Sequence, residues 1–520
     1  MTGKWLKRAG MFLPLAVLMG ALQWNWFAMP LERDEGEYAY SAWLMLSGKG
    51  VPYQDSFLQK PPMIVHTYAL VEALAPKSDK VGFRVAGFLA SLATAGLVWK
   101  LGKREFGGRS GLWAAWLWMA FAQQMMFAPV AANAEKFMVV PMLGAMLSTG
   151  AGERRWWRWC LAGALAAAAV LYKPICAPVL GVHFLWRGAG RSRDEWRNAW
   201  RWWGAALAGG IVAAGAALWW FARKGALGAM WECTVEFTGA YAELTRHPLH
   251  NATVWATSVG TWKLGLAGGL AALGMALRWR DGWKWTGVFA LATFVSMTGV
   301  NGHYYFLALP FAAMLAGAGV EKLSGFPERR QAWLGAVTVA VLVVALLGNG
   351  KEWWGLKLRP QRLCWALYDG NPFPEAMGAG TAAAALCGED GTVYVAGSEP
   401  EIMWYARRKG ATRFDIFYPL SLPTKYAAGY QAEAKAELAV NPPEVVVAAE
   451  TILGIGRGLE AVYGEYWNWL ADMVERGGYR LEWAFVPSAG GWVQGGEWKE
   501  RKAEGATLGV FAKPPRDAPM

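Results

Sequence analysis

Long apolar runs separated by short basic segments fill the first 350 residues of the chain. The longest of them, such as residues 11–29, 81–101 and 202–221, have about the length that an α-helix needs to cross a bilayer. The pattern therefore predicts a polytopic α-helical membrane protein with about 11 transmembrane helices. The other predicted crossings are residues 111–128, 137–147, 159–172, 174–186, 256–277, 285–300, 304–320 and 333–347.

Basic residues cluster in every second connection between these runs. Every loop that is predicted to be cytoplasmic carries at least three lysine or arginine residues, and cytoplasmic loops of membrane proteins are enriched in both. This asymmetry predicts a cytoplasmic N-terminus and an external C-terminal part. Residues 63–74 are too short to cross and are predicted to form a re-entrant or interfacial helix.

Composition and charge narrow the class of protein. The chain is 55% hydrophobic and contains 34 Trp, which excludes an ordinary soluble enzyme. The first 350 residues hold 33 Lys and Arg against 18 Asp and Glu, whereas the remainder holds 18 against 21. A basic excess beside apolar runs indicates contact with anionic lipid rather than with nucleic acid.

After residue 350, short segments of alternating type replace the long apolar runs. Strand patterns alternate there with helical patterns, which is typical of a small α/β domain with a partly parallel sheet. The chain is therefore predicted to divide into residues 1–350, in the membrane, and residues 351–520, outside the cytoplasm. The predicted strands are residues 392–397, 412–418 and 444–449, and the predicted helices are residues 400–409, 424–439 and 465–476.

The first loop, residues 31–62, follows the first apolar run and carries two polar clusters. In the first cluster, Asp34, Glu35 and Glu37 bring three carboxylates into four positions. Like charges this close raise one another's pKa, so at least one of them is a candidate proton acceptor near neutral pH. The alternative is a solvated turn in which Asp34 caps a helix.

The second cluster of the first loop is a cation, Lys60, between Gln59 and two prolines. It stands just before the next apolar segment. Between the clusters, residues 38–46 predict a short amphipathic helix that ends near Gly48. The aromatic residues of that helix suit a position in the membrane interface.

Further polar residues lie at the external ends of later runs. Asn133 and Glu135 precede the fourth run, Lys173 lies between two short runs, and His303 and Tyr304 begin the tenth. Ionisable residues at membrane depth are functional candidates by default. Simpler roles stay open for each: a helix cap for Glu135, a snorkelling side chain for Lys173, and a structural histidine for His303.

Cysteine and glycine patterns point to no metal centre and no nucleotide site. No Cys and His spacing resembles a structural zinc site, and no phosphate-binding loop precedes a predicted helix. Cys160 and Cys176 lie in or near apolar runs, as buried cysteines do. Cys364 and Cys387 fall in the predicted external domain, where an oxidising compartment permits a disulfide that spacing alone cannot establish.

Several of these motifs together resemble the GT-C glycosyltransferases. Residues 34–38, 51–55 and 59–62 are similar to the first external loop of that family. The closest group is the bacterial branch related to the protein O-mannosyltransferases and to the aminoarabinose transferase of lipid A. Residues 131–135 and 303–305 are similar to later external motifs of the same group, so the resemblance covers the predicted membrane part.

The resemblance implies a catalytic base at Asp34, with Glu35 beside it, and a donor sugar carried on a polyprenyl phosphate or diphosphate. Such a transfer needs cations that face the departing phosphate. Lys60, with help from Arg84 or Lys173, is expected to supply them. The other residues expected to bind the substrate or the lipid phosphate are Tyr53, Asn133, Glu135, His303 and Tyr304.

One position departs from the aminoarabinose members of the family. They carry a glutamate before the Lys-Pro-Pro motif, whereas this chain has Gln59. The metal site of those members therefore does not carry over directly. A divalent cation remains an open alternative rather than an expected cofactor.

These observations predict a membrane glycosyltransferase, hexosyl or pentosyl, that moves a sugar from a polyprenyl-phosphate carrier to an extracytoplasmic acceptor. Its expected location is the inner membrane of a bacterium, and its expected partners are the lipid-linked donor and membrane lipids, with no nucleic acid. The alternatives are a transporter or flippase of lipid-linked glycans and a membrane-anchored binding protein. A transporter should hold ionisable residues near the bilayer midplane on broken helices, whereas here they lie at the external ends of the runs.

Overall fold

The computed structural model describes residues 13–76, 79–107, 109–124, 129–150, 152–189, 193–245, 253, 262–297, 302–323, 351–368, 371–449 and 460–513. The crossing predicted at residues 333–347 lies outside these ranges. Within them, Lys80–Phe106 and Trp196–Arg223 are long and apolar enough to cross a membrane.

The helices of the N-terminal part follow the predicted apolar runs, with bounds that differ by a few residues. Short 3₁₀ helices at Pro174–Cys176 and Gly302–Leu307 precede two of them. The α-helices are Leu13–Leu22, Trp24–Phe27, Arg33–Ser47, Met63–Leu74, Lys80–Phe106, Ser110–Phe121, Ala134–Ser148, Trp156–Tyr172, Ala177–Ala189, Arg193–Arg223, Leu227–Trp231, Thr238–Thr245, Trp262–Leu277, Trp279–Ser296 and Leu309–Leu323.

The 227–245 segment is helical throughout and includes a π-helix at Glu232–Phe237. From the sequence, the connection between the crossings at residues 202–221 and 256–277 is predicted to be a polar external loop, residues 223–255. Over residues 227–245 that prediction is wrong. Cys233 and Phe237 are buried, and the Phe237 ring packs edge-on against the ring of Phe57 in the first loop, with centroids 5.1 Å apart. Tertiary packing therefore orders a stretch whose composition alone is that of a loop.

Two long helices, Trp156–Tyr172 and Arg193–Arg223, pack against each other through glycine. A Cβ atom at Gly163 would overlap the backbone carbonyl of Ala206 in the second helix. Gly209 makes the same kind of contact in the opposite direction. Small residues let the backbones of membrane helices approach this closely, and dispersion attraction across the close interface then holds the pair together.

The first loop is built around the helix Arg33–Ser47, which starts earlier than predicted. The Glu32 carboxylate accepts hydrogen bonds from the backbone N–H groups of Asp34 and Glu35. Glu35 Oε2 accepts in return from the N–H of Glu32 at 3.3 Å, which completes a capping box. The alternative in which Asp34 caps the helix is therefore wrong, whereas Gly48 ends the helix as predicted, with φ 70°.

The sequence analysis predicts that this helix lies in the membrane interface. In the structure the helix is instead buried within the protein. A Cβ atom at Gly36 would overlap the backbone of Glu401 in the C-terminal part. Arg33 reaches into the same part, where it donates to the carbonyl of Ser398 and forms an ion pair with Glu399 at 3.3 Å. The C-terminal part therefore covers the first loop.

The C-terminal part contains one six-stranded sheet, with β1 (Thr392–Ala396), β2 (Lys409–Gly410), β3 (Val445–Ala449), β4 (Arg480–Val486), β5 (Gly491–Gln494) and β6 (Leu508–Ala512). The strand order is β2-β1-β3-β6-β4-β5. β1 pairs parallel with β2 and β3, whereas β6 pairs antiparallel with β3 and β4. The predicted partly parallel sheet is thus confirmed. The helices of this part are Trp354–Lys357, Pro360–Leu367, Phe373–Leu386, Glu401–Ala406, Tyr418–Ser421, Ala427–Val440, Glu460–Arg476 and Trp498–Ala503.

Residues 412–418, which are predicted to form a strand, leave the sheet instead. At this edge of the sheet, the two-residue strand β2 pairs with β1. The chain then turns towards the first loop. The N–H of Gly410 donates to the hydroxyl of Tyr40 at 2.8 Å, and Asp415 Oδ1 accepts from the N–H of Phe57 at 2.8 Å. Contacts to the first loop therefore take the place of a strand ladder.

Two further expectations concern the cysteines of the C-terminal part. Cys364 and Cys387 are both free thiols, so the permitted disulfide is not formed. Cys364 packs in a small cluster with Trp26 and Leu363, whereas Cys387 belongs to the main core.

Candidate active site

Two charged residues of the first loop, Asp34 and Lys60, face each other. Lys60 Nζ lies 4.0 Å from Asp34 Oδ1, and the two side chains keep 18% and 29% of their surface exposed. Tyr53 turns the loop back with a left-handed φ of 75°, and its hydroxyl donates to the carbonyl of Lys60 at 2.9 Å. The turn thus holds the lysine against the first turn of the helix.

The electrostatic surroundings keep Lys60 positively charged. Burial lowers the pKa of Lys60, but the negative charge of Asp34, and that of Glu37 once it ionises, outweighs burial and holds the pKa above its ordinary value. The ammonium also lies 6.0 Å from the centroid of the Tyr38 ring, within reach of a cation–π contact. A fixed cation is therefore available to an anionic ligand.

A cavity of about 560 Å³ opens beside Lys60. Lys173, at the junction of two helices, also lines it, as does Tyr304. Two cations in otherwise largely apolar surroundings suit a ligand that combines a phosphate with a hydrocarbon chain. The rest of the lining consists of Gln59, Pro61, Pro174, Ile175, Pro178, Thr234, Val235, Thr238, Tyr241, Ala242 and Val295.

A second charged cluster adjoins the cavity around Glu135, in the first turn of the helix Ala134–Ser148. Lys173 forms an ion pair with Glu135, and its ammonium lies 3.6 Å from the centroid of the Tyr304 ring. His303 Nε2 lies 3.6 Å from Glu135 Oε1. The structure therefore brings together Glu135, Lys173, His303 and Tyr304, which come from three separate parts of the sequence.

Two buried polar atoms near these clusters lack a hydrogen-bond partner among the described residues. They are Asn133 Oδ1, directly before the Glu135 helix, and the hydroxyl of Tyr38, below Lys60. An unpaired buried polar atom costs free energy unless a water or a ligand pairs with it. This pair fits a site that is completed by a polar ligand.

Glu35 and Arg84, which the sequence analysis places in the catalytic machinery, instead form a buried structural pair. Arg84 Nη2 lies 2.6 Å from Glu35 Oε2, and the side chains are 1% and 0% exposed. Arg84 also donates to three backbone carbonyls at the end of the first apolar run, and the N–H of Ala132 donates to Glu35 Oε1 at 2.9 Å. Neither residue is part of the cavity lining, and the same holds for Asp34. Unlike Asp34, which is 29% exposed, Glu35 and Arg84 are occupied by burial and by these bonds.

Glu37 is the carboxylate of the first loop whose pKa is raised. Burial is the main cause, proximity to Asp34 adds to it and Lys60 opposes it, and the result is a pKa of about 8 against an ordinary 4.5. The sequence analysis predicts a raised pKa for at least one of the three acids, which is confirmed. Its predicted cause, like-charge crowding, is secondary to burial.

This shift predicts that Glu37→Gln stabilises the protein most at high pH. In the folded wild type Glu37 keeps its proton between pH 4.5 and about 8, where the unfolded chain has lost it. Stability therefore falls as pH rises through this range, and it stays low above it. The glutamine variant lacks this loss. We therefore expect the difference in the free energy of unfolding, variant minus wild type, to grow by more than about 1 kcal/mol as pH rises through this range.

Thermal unfolding of wild type and Glu37→Gln in detergent, from acidic pH to above pH 8, measures the difference. Asp415, whose pKa burial raises to about 7, titrates in both proteins, and its charge raises the pKa of Glu37 further in the wild type. An advantage that shrinks with rising pH would contradict the prediction.

The described residues contain no group of three or more His, Cys, Asp or Glu side chains that could hold a metal ion. Gln59, at the position where aminoarabinose members have glutamate, lines the cavity. The alternative of a divalent cation therefore finds no set of ligands in this part of the chain.

Sequence reasoning missed the contacts that the C-terminal part makes with the site. Arg413 Nη2 lies 2.8 Å from Glu232 Oε1 of the 227–245 segment, and Asp415 binds the backbone of Phe57. Both residues fall in the stretch that is predicted to be a strand. No local pattern marks them, because their partners are far away along the chain.

Comparisons with known proteins were made in sequence and in structure. Residues 59–220 match the family described as dolichyl-phosphate-mannose-protein mannosyltransferase. No curated protein matches the chain.

Solved structures share the fold over nearly the whole chain. ArnT from Cupriavidus metallidurans bound to undecaprenyl phosphate has a TM-score of 0.58 and 13% identity, and the match covers 100% of both chains. The apo state of the same ArnT has a TM-score of 0.57 and 14% identity, and the match covers 98% of this chain and 100% of ArnT. An Archaeoglobus fulgidus oligosaccharyltransferase tethered with an acceptor peptide has a TM-score of 0.51 and 13% identity, and the match covers 96% of this chain and 75% of that one. The resemblance to GT-C glycosyltransferases is confirmed, and none of these proteins supports the transporter alternative.

Proposed function

We propose that this chain is a GT-C membrane glycosyltransferase of the ArnT and protein mannosyltransferase type. In this proposal it transfers a sugar from a polyprenyl-phosphate carrier to an acceptor. The observation that carries the proposal is the cavity, in which Lys60 and Lys173 meet within largely apolar walls. Asp34 stands beside it, 4.0 Å from Lys60. The ArnT structure with undecaprenyl phosphate supports the same class of carrier.

In the proposed reaction, the bond between the anomeric carbon of the sugar and the phosphate oxygen of the carrier breaks. The acceptor hydroxyl forms the new bond to that carbon, and Asp34 takes the hydroxyl proton as general base. Lys60 and Lys173 face the negative charge that grows on the departing phosphate. The products are the glycosylated acceptor and the free polyprenyl carrier.

The residues around Asp34, Lys60 and Lys173 are proposed to act by holding these three side chains in place. Glu135 and the Tyr304 ring hold the ammonium of Lys173, and His303 borders the same carboxylate. A cation that is held from two sides needs little rearrangement when phosphate charge develops, and such preorganisation is the main source of electrostatic catalysis. Asn133 and Tyr53 are proposed to support the site from the helix start and from the turn of the first loop.

The site is proposed to face the extracytoplasmic side of a bacterial inner membrane. The basic loops of the sequence support this orientation, and a lipid-linked donor explains a site at the membrane surface. The acceptor is then a lipid, a glycan or a protein that is exposed on that side.

The purified protein in lipid nanodiscs tests the proposal. We expect mass spectrometry to find a polyprenyl-linked sugar that co-purifies with it, and we expect labelled sugar to leave that donor while free polyprenyl phosphate accumulates. Wild-type protein that neither retains nor consumes polyprenyl-linked sugars would contradict the assignment.

Lys60→Ala is expected to impair use of the donor about tenfold to a hundredfold, because a charge-assisted contact to phosphate is worth roughly 1.5–3 kcal/mol. Lys49→Ala is the matched control. Lys49 lies in the same loop, but it pairs with Asp390, which is fully exposed, at 3.5 Å. Transfer rates at varied donor concentration measure both variants, and equally small effects would remove Lys60 from the mechanism.

A further inference from the structure

Three parts of the chain meet at one aromatic cluster behind the cavity. Phe57 of the first loop packs on Phe237 of the 227–245 segment at 5.1 Å, and on Phe414 and Tyr430 of the C-terminal part at 5.6 and 5.3 Å between centroids. The guanidinium of Arg413 lies over three of these rings, 5.1 to 5.4 Å from the centroids. The cluster therefore joins two segments that line the cavity, the first loop and residues 227–245, to the C-terminal part.

Arg413 is the polar centre of this junction. Its Nη1 and Nη2 atoms donate to the two carboxylate oxygens of Glu232 at 3.1 and 2.8 Å. Nε and Nη2 donate to the two oxygens of Glu433 at 2.6 and 2.9 Å. The Arg413 side chain is 9% exposed. A planar guanidinium that binds two carboxylates in this way restrains both strongly, and lysine cannot reproduce the geometry.

The two carboxylates belong to different parts of the molecule. Glu433 lies in the helix Ala427–Val440, in the same C-terminal part as Arg413. Glu232 begins the π-helix, and Thr234 and Val235 of the same helix line the cavity. Only one of the two ion pairs therefore connects the C-terminal part to the cavity.

We propose that Arg413 is a positioning residue: it fixes the 227–245 segment, and with it one wall of the cavity, relative to Lys60 in the first loop. The first loop is held by the same region of the C-terminal part, where Asp415 binds the N–H of Phe57 and Lys409 forms an ion pair with Asp55 at 2.6 Å. The C-terminal part thereby sets the width of the cavity without lining it. The inference rests on the proposed function in that the cavity is taken as the donor site.

The test compares Glu232→Gln with Glu433→Gln in the full-length protein in nanodiscs. The two changes are chemically identical, both remove one carboxylate from Arg413, and the two side chains have similar exposure, 29% and 38%. Hydrogen exchange of residues 227–245, followed by mass spectrometry, reports on the segment independently of activity. Binding of undecaprenyl phosphate and the KM and kcat of transfer report on the cavity.

Glu232→Gln is expected to speed exchange in the segment and to raise the Kd and KM about tenfold, below the roughly hundredfold cost of a 1 Å misplacement at a catalytic site. We expect kcat to stay within about twofold, because Asp34 and Lys60 remain in place. Glu433→Gln should leave the exchange of the segment and the affinity near those of wild type. Arg413→Lys should behave like Glu232→Gln.

Equal effects of Glu232→Gln and Glu433→Gln would overturn the inference, since Arg413 would then only stabilise its own surroundings. Faster exchange with unchanged affinity would overturn it too, since the segment would not shape the donor site. Wild-type protein that does not bind undecaprenyl phosphate would instead count against the proposed function, and the exchange data alone would then decide whether Arg413 holds the segment. If Arg413→Lys fails to fold, the pair of glutamate variants still decides.

Discussion

Asp34→Asn is expected to lower the rate of sugar transfer by about 10²–10⁴-fold, the usual cost of losing a general base. Asparagine keeps the size of the side chain but cannot take the acceptor proton. Asp34 is 29% exposed, and its backbone N–H, not its side chain, takes part in the capping box. The variant should therefore fold and should still bind donor, so the loss should appear in kcat.

Transfer of labelled sugar from a polyprenyl-linked donor, at matched protein levels, measures this effect. Glu37→Gln, one turn further along the same helix, is the control and should be milder, because Glu37 is buried. Near-normal turnover by Asp34→Asn would remove Asp34 as the base and would overturn this part of the proposed mechanism.

Arg84→Met is expected to destabilise the protein by about 3–5 kcal/mol, because it leaves the Glu35 carboxylate buried without its counter-charge. The pair is almost fully buried. The substitution also releases three backbone carbonyls between Trp26 and Pro30 that accept from Arg84. Thermal unfolding in detergent should show a clearly lower midpoint.

The double variant Glu35→Gln with Arg84→Met separates charge from packing. Removing the second charge as well should recover part of the lost stability, because no uncompensated carboxylate remains. Arg476→Gln, which breaks an exposed pair with Asp472, should change little. A double variant no more stable than Arg84→Met alone would contradict the prediction, because the uncompensated Glu35 charge would then not be the cause of the loss.

The sequence predicts where the helices of the N-terminal part form, because the hydrophobicity of a run is a local property. The short helix Met63–Leu74 forms with the bounds that its apolar run predicts. Where packing between distant segments decides, the prediction fails. The 227–245 segment is polar enough to resemble a loop, yet burial of Phe237 makes it helical. Strands β4, β5 and β6 are missing from the prediction, although β4 has seven residues and forms a local hairpin with β5.

The site shows the same division. Asp34, Lys60, Lys173 and His303 could be named from motifs, and the structure brings them to one region. The roles of Glu35 and Arg84 could not be seen, because most partners of Arg84 are backbone carbonyls and any residue type supplies a carbonyl. Arg413 was missed for a related reason, since its value depends on Glu232, which is distant along the chain.

The strand order of the C-terminal sheet has a consequence for biosynthesis. β6 is the last described strand along the chain, yet it lies between β3 and β4. A ribosome delivers the chain N-terminus first, so β3 and β4 lack the neighbour that they share until residues 508–512 have been translated. The sheet is therefore completed late in synthesis, after every residue of this part that contacts the first loop has already been made.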